Sequence, residues 1–447
     1  MRILFISLGC DKNLVDSEEM ITRLVAAGHE MVEEVGVAEA IVINTCCFIG
    51  DAKEESIQTI LEMASYKEKG SLKALIVTGC LAERYRGEII KEIPEVDAVL
   101  GTSSWQDILE ALEAACKGQE SFERFGPHGP ISGISPRRVV SAFGGATAYL
   151  KIAEGCDKHC TYCIIPSLRG PYRSVPMEEL LRQAEYLVEG GARELILVAQ
   201  ETTLYGTDLY GEKSLHVLLE KLCRIQGLTW IRILYAYPEE IYQGLIDVMK
   251  RERKICHYLD MPIQHASNRI LKKMGRRTTK EDLVEIISHL REEIPDIVLR
   301  TTLISGFPGE TQEDFEEVYN FADEMEFDRL GVFPYSAEEG TPAYSMENQI
   351  PQEVKESRRD ELMELAQEIS LEKGEARVGQ ELLVMVEGKL PQESAYVARS
   401  YADAPQVDGY VFVESGEEYK TGDFLRVRIT ASQEYDLMGV AIDELAE

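Results

Sequence analysis

Twice along this chain, short uninterrupted apolar runs alternate with amphipathic stretches of helical period, and that rhythm limits the fold more than any single residue does. In residues 1–117 the runs RILFISL, AIVINT and ALIVTG are separated by patterns such as SEEMITRLVAAG and KEESIQTILEMASYKE. Strands with no polar face, spaced by helix-length segments, are the grammar of βαβ units and predict a doubly wound parallel sheet. Residues 118–146 contain GPHGPISGISP and read as a linker. A second series fills 147–375, with AYLKIAE, ELILVAQ, WIRILYA, HYLDMP, IVLRTTLIS and RLGVFPYS as its strands. Six such units fall short of a closed eight-unit barrel and predict a partial (β/α)6 barrel, open on one side. A charged helix at about 351–376 follows. In 376–447 the texture changes to ELLVMVEG, YVARSYA, GYVFVE, FLRVRIT and DLMGVAI between turn signals, which predicts a small antiparallel β-barrel. The fold class is therefore α/β with an appended all-β module.

No apolar run reaches the ~18 residues that a membrane-spanning helix needs. The opening MRILFISLGC runs straight into Asp11 and Lys12 and reads as a buried strand, so a cytoplasmic location is expected. In that compartment ten cysteines point to metal or redox chemistry rather than disulfides. The net charge of −32 opposes non-specific binding to nucleic acid and suits a basic protein partner, although acidity also serves solubility.

The cysteines are not scattered. GCDKHCTYCIIP places Cys156, Cys160 and Cys163 as CxxxCxxC directly after AYLKIAE. Structural zinc takes four ligands, usually in pairs; three thiolates in one tight loop suit three irons of a cubane cluster and leave the fourth iron open. A zinc site completed by His159 is the competing reading, and the adjacency of His159 to Cys160 argues against it. The motif resembles that of the radical S-adenosylmethionine (SAM) superfamily. The resemblance implies that SAM chelates the open iron and is cleaved by electron transfer, and that Tyr162 contacts the adenine. Gly306 and Gly309, in LISGFPGE, and Gln200 and Glu201, at the end of ELILVAQE, occupy positions where that superfamily contacts SAM. Plain turns and a helix cap are the bland alternatives. Arg169 and Arg173 follow the loop and are candidates for the SAM carboxylate or an acidic target side chain.

A second trio is spread through the first series. Cys10 follows RILFISLG, Cys46 follows AIVINT and Cys80 follows ALIVTG, at gaps of 36 and 34 residues. Each stands at the carboxyl end of an expected parallel strand, and such ends share one rim. Three thiols converging there again leave one iron corner open; three buried thiols at strand ends are the alternative. Cys47 adjoins Cys46, and neighbours on a strand face opposite ways, so only one of the two should serve. Cys116, Cys223 and Cys256 lack partners at useful spacing and are expected to be buried structural thiols.

Two open clusters suggest sulfur insertion into an unactivated C–H bond. SLGCDKNLVDSE, NTCCFI, LRGPYRS, DMPIQHAS, FPYSAEEGTPA and EYDLMG resemble the radical-SAM methylthiotransferases, in particular the branch acting on small-subunit ribosomal protein twelve, and the likeness covers essentially the whole chain. It implies two [4Fe-4S] clusters, one on Cys10, Cys46 and Cys80 and one on Cys156, Cys160 and Cys163. It further implies two uses of SAM, a β-methylthio-aspartate product, a reducing donor such as flavodoxin or ferredoxin, and a carboxy-terminal TRAM barrel. Asp11 stands where proline is expected and Cys47 where glycine is.

From Arg377 onward there are 6 Lys plus Arg and 14 Asp plus Glu, a net −8. An RNA-gripping barrel should be basic, so the same chemistry on a tRNA adenosine is disfavoured. A non-catalytic iron–sulfur or zinc protein that binds RNA is the alternative of another class.

Overall fold

In the computed structural model, which describes residues 1–68, 70, 72–117, 122–129, 131, 145–391 and 394–442, the backbone packs as two units. The first comprises residues 1–140, 151–186 and 336–344; the second comprises 141–150, 187–335 and 345–447. Most of the expected linker, at 118–121, 130 and 132–144, lies outside the described residues.

The first unit is built on strands β1 (Arg2–Ser7), β2 (Glu30–Met31), β3 (Ala40–Thr45), β4 (Ala74–Gly79), β5 (Ala98–Leu100) and β6 (Phe122–Arg124), all paired parallel in the order β2-β1-β3-β4-β5-β6. Every residue of β3 and β4 is buried, because alternate side chains feed two cores. Ile41, Ile43, Leu75 and Val77 pack with Ile60 and Met63 of helix Gly50–Glu68. Their neighbours Ala40, Val42, Ala74 and Ile76 pack on the other side with Met20 and Leu24 of helix Asp11–Ala26 and with Leu112 of helix Ile108–Cys116. This is the expected doubly wound sheet. β2, β5 and β6, at two or three residues each, are too short to leave a periodic trace in the sequence. The order reverses between β1 and β3, which makes their carboxyl ends the topological switch point where open α/β sheets bind ligands.

Strand β7 (Thr147–Lys151) leads to a short antiparallel pair in the first unit, β8 (Ala153–Glu154) with β9 (Arg173–Ser174). The CxxxCxxC segment is the connection between β8 and β9.

In the second unit β7 is followed by β10 (Glu194–Val198), β11 (Trp230–Ile233), β12 (Ile255–Asp260), β13 (Val298–Ser305) and β14 (Arg329–Pro334). The six lie side by side in chain order as one sheet, parallel from β10 to β14. The helices before β13 and β14 start with reciprocal caps, Thr279 with Asp282 and Thr311 with Asp314. The charged helix runs Gln352–Glu375.

Strands β15 (Glu381–Lys389), β16 (Ala395–Ser400), β17 (Val411–Glu414), β18 (Phe424–Ser432) and β19 (Leu437–Ala441) close a barrel in the order β15-β16-β17-β19-β18. This is the expected small antiparallel barrel with one parallel pair, β17 with β19, since an odd number of strands cannot alternate direction all the way round a closed ring. Val384, Val386, Ala398, Val413, Leu425 and Val427 fill its interior. The barrel packs on the amino-terminal ends of the sheet strands, where Trp230 and Phe424 meet edge to face at 4.8 Å. Among the described residues no helix is long and apolar enough to cross a membrane.

Candidate metal centres

Parallel register places the first trio. Ser7 pairs with Asn44 and Thr45 with Gly79, so Cys10, Cys46 and Cys80 leave their strands at one rim, at the switch point. Gly9 has φ +85°, and a Cβ there would fall 2.6 Å from the Cys46 Cβ and 2.9 Å from its Sγ. The chain can pass this close to Cys46 only as glycine. The Asn13 side chain then ties the two loops together, donating to the carbonyls of Leu8 (3.0 Å) and Thr45 (2.9 Å). Asn44 donates back to the Asn13 carbonyl at 2.8 Å. Sequence reasoning missed both asparagines; their signal was a polar residue inside an otherwise apolar pattern.

The three thiols feel one another. Burial pushes the Cys46 thiol up, the amides of Phe48 and Cys47 pull it back, and the nearby Cys10 sulfur raises it further. Burial takes Cys80 up to about 12, against the pull of the Arg169 guanidinium and with Cys10, Cys47 and Cys46 adding to the rise. Cys47 has a different environment. It is fully buried in the apolar layer with Ile43, Ile60 and Leu81, and burial lifts it to about 11 with Arg84 opposing. Past the strand end Cys46 thus lies beside Cys10, while Cys47 lies in the core layer and still acts on Cys80.

The second trio is set by a turn-rich loop. Gly155 (φ +82°) opens it, the Cys156 amide donates to the Gly170 carbonyl at 3.1 Å, and the Cys163 amide to the Cys160 carbonyl at 3.1 Å. Asp157 accepts from the Tyr172 amide at 3.0 Å, and the Lys158 amide points at the Cys156 sulfur at 3.4 Å. Cys163 is pushed up to about 12 by burial, with the Ile165 amide opposing and the Cys160 and Cys156 sulfurs adding to the rise. His159 is exposed, so its side chain turns outward from the cysteines beside it.

Both sets fit a cluster by their donor chemistry. Crowded thiols resist ionising together unless a metal takes up their charge. Among the described residues no three His, Cys, Asp or Glu side chains close around one ion position. A cubane does not ask for that, since each thiolate binds its own iron.

The other expected ligands divide. Tyr162 is half-buried within the cysteine loop, and Gln200 is half-buried just past β10. Glu201 is fully buried, and its Oε1 accepts from both the amide (2.9 Å) and the hydroxyl of Thr203, so this oxygen caps a turn. Gly306 and Gly309 have φ +70° and +78°, and a Cβ on either would strike Lys355 or Lys273 respectively. The turn between them is held by a residue that sequence reasoning passed over, Glu310. Its carboxylate accepts from the Gly306 amide (3.0 Å), the Phe307 amide (3.2 Å) and Arg358 (2.7 Å).

The two arginines proposed for SAM or an acidic target have protein partners in this structure. Arg173 donates to the carbonyls of Pro171 (3.1 Å), Gly129 (3.0 Å) and Arg169 (2.8 Å), which makes it a strut between loops. Arg169 is buried against Asp16 (2.7 Å), Glu154 (3.2 Å), the Asn13 side chain and the Cys80 sulfur (3.5 Å). Their sequence neighbourhood suggested a ligand; the carbonyls and carboxylates of the first unit take up their donors instead. Cys256 is buried as expected and Cys223 partly so, whereas Cys116 is exposed because it ends its helix.

Comparison with known proteins gives matches to the radical SAM superfamily over residues 150–322, to an uncharacterized protein family (UPF0004) over 2–101 and to the TRAM domain over 378–442. The chain is 58% identical over 441 residues to the ribosomal protein uS12 methylthiotransferase RimO of Lachnoclostridium phytofermentans, covering 99% of this chain and 100% of the relative. It is 50% identical to the protein of the same name from Pelotomaculum thermopropionicum, covering 99% of each. Among solved structures it is similar to the radical S-adenosylmethionine methyltransferase TsrM of Kitasatospora setae, determined with cobalamin and a [4Fe-4S] cluster, at a TM-score of 0.58, 14% identity and 76% of each chain. That likeness concerns the fold alone.

Proposed function

The chain belongs to the family of ribosomal protein uS12 methylthiotransferases, and on that premise we propose that it adds a methylthio group to the β-carbon of an aspartate of that ribosomal protein. The observation that carries this reading is the convergence of Cys10, Cys46 and Cys80 at the switch point of a unit that also holds Cys156, Cys160 and Cys163.

In this reading each trio holds one [4Fe-4S] cluster, with SAM at the second, and these groups when bound supply the radical, methyl and sulfur chemistry that replaces a C–H bond by C–S. The chain's own part is positional and electrostatic. Gly9 lets Cys10 come alongside Cys46. The amides of Phe48 and Cys47 face the Cys46 sulfur and the amide of Ile165 faces that of Cys163, which offsets part of the cost that burial puts on the thiolates. In the second unit Gln200, Gly306 and Gly309 are the residues we propose for SAM, with Glu310 holding the last two in their turn, and Tyr162 is proposed for the adenine from its place in the cysteine loop. Arg169, which touches Cys80, lies six residues after Cys163. A connection of that length spans at most ~20 Å, which bounds how far the second trio can lie from Arg169.

The barrel supports a basic protein as substrate. Its one fully buried cation, Arg399, and its buried Asp403 and Asp408 are paired with Glu194, Arg329 and Arg300 of the adjoining sheet, and its remaining charge is still strongly negative. A low-potential donor of the flavodoxin or ferredoxin kind would deliver the electrons. The test is to incubate the anaerobically reconstituted, reduced protein with SAM and either uS12 or tRNA and to weigh the products. Methylthiolated uS12 with unchanged tRNA supports the reading. Modified tRNA would move the chain to the other substrate, and absence of any SAM cleavage would make it a non-catalytic metal protein.

A further inference from the structure

Arg169 ends the short helix Ile165–Arg169 that follows the CxxxCxxC loop, and it is 2% exposed. Its Nη1 meets Asp16 at 2.7 Å and Glu154 at 3.2 Å, while its Nη2 donates to Asn13 and reaches the Cys80 sulfur at 3.5 Å. Lys151 pairs with the same two carboxylates, meeting Glu154 at 2.5 Å. Two buried cations and two buried carboxylates therefore balance among themselves before Cys80 is counted. Such an arrangement is a poor source of stability, since desolvating four ions offsets most of their attraction. What it achieves is orientation: the carboxylates and Asn13 grip the guanidinium from three sides and leave an N–H edge facing sulfur. Hydrogen bonds to ligand sulfurs are a principal means by which a protein sets the potential of an iron–sulfur centre, making reduction easier.

We propose that Arg169 is a positioning residue for the centre on Cys10, Cys46 and Cys80, holding the Cys80 thiolate by an N–H···S bond and raising the reduction potential of that centre. The proposal rests on the reading that Cys80 is a ligand. Because Arg169 is carried by the segment after Cys163, the loop of one centre supplies the electrostatic partner of the other.

The test uses the full chain with Cys156, Cys160 and Cys163 replaced by Ala, so that one centre remains, reconstituted with iron and sulfide and titrated with dithionite under electron paramagnetic resonance. Arg169→Lys keeps the charge, and Arg169→Met with Asp16→Asn keeps the buried charge balanced. We expect iron loading to persist in both, with the midpoint potential lowered in Arg169→Met/Asp16→Asn and intermediate in Arg169→Lys. Full loading with an unmoved potential in the balanced variant would overturn the proposal. Loss of loading in both variants would overturn it too, leaving Arg169 a structural strut. Failure of the parent triple-alanine protein to bind iron would instead remove the reading of Cys80 on which the proposal stands.

Discussion

Arg399, the penultimate residue of barrel strand β16, donates from Nη2 to Oε2 of Glu194, the first residue of β10, at 2.6 Å, and neither side chain is exposed. Arg232 holds the other carboxylate oxygen at 2.9 Å. Burial alone would push the Glu194 carboxyl up; the guanidiniums of Arg399 and Arg232 more than reverse this and hold it at about 2 against an ordinary 4.5. A carboxyl lowered in this way stabilises the fold fully above its unfolded value. The contribution is lost as pH falls from about 4.5 through about 2, and it amounts to ~3 kcal/mol. Glu194→Gln leaves two buried arginines under-compensated and is expected to cost ~3–5 kcal/mol. Thermal melts of the wild type and the variant at pH 7 and pH 3 check this: the gap should narrow at the lower pH.

Replacing the trios separately should separate their roles. With Cys156, Cys160 and Cys163 changed to Ala, SAM cleavage should stop. With Cys10, Cys46 and Cys80 changed, cleavage should continue while methylthiolation of uS12 stops. Iron content should fall from about eight per chain to about four in either case, as two cubanes require. Methylthiolated product from the second variant would reduce the amino-terminal centre to scaffolding.

The two adjacent cysteines should behave unlike one another. Cys47 packs in the apolar layer, so Cys47→Ala is expected to cost on the order of 1 kcal/mol as a small cavity and to keep full iron loading. Cys46→Ala should lose about half of the iron with little change in melting temperature of the iron-free protein. Iron assay beside a melt distinguishes these outcomes.

Glu310 offers a test of the turn that holds Gly306. Glu310→Gln exchanges a carboxylate that binds two amides and Arg358 for a neutral amide, and should cost ~1–3 kcal/mol. Equilibrium dialysis should show weaker SAM binding while iron content stays unchanged. Unaltered SAM affinity would detach this turn from the cofactor site.

Much of the fold was legible because buried strands and amphipathic helices leave strong periodic traces. RILFISL, AIVINT and ALIVTG all appear as strands, as do all six runs of the second series and all five of the barrel. The short β2, β5 and β6 were not legible, since two or three residues carry no period. The cysteine trios were legible through spacing in one case and strand-end position in the other. The protein partners of Glu201, Arg169 and Arg173 were not legible, because a side chain's partners are chosen by what lies nearby in space, and sequence proximity to a motif says nothing of that.

What the sequence by itself determined is the set of elements and the six thiols that follow them, because hydrophobic period and the position of cysteine relative to a strand are local properties. The tertiary structure alone decided that Cys46 faces Cys10 while Cys47 enters the core, that the barrel needs one parallel pair to close, and that Arg169 meets Cys80. Each of these depends on register, on ring closure or on which carboxylates surround a buried cation, and such relations exist only once distant segments are packed together.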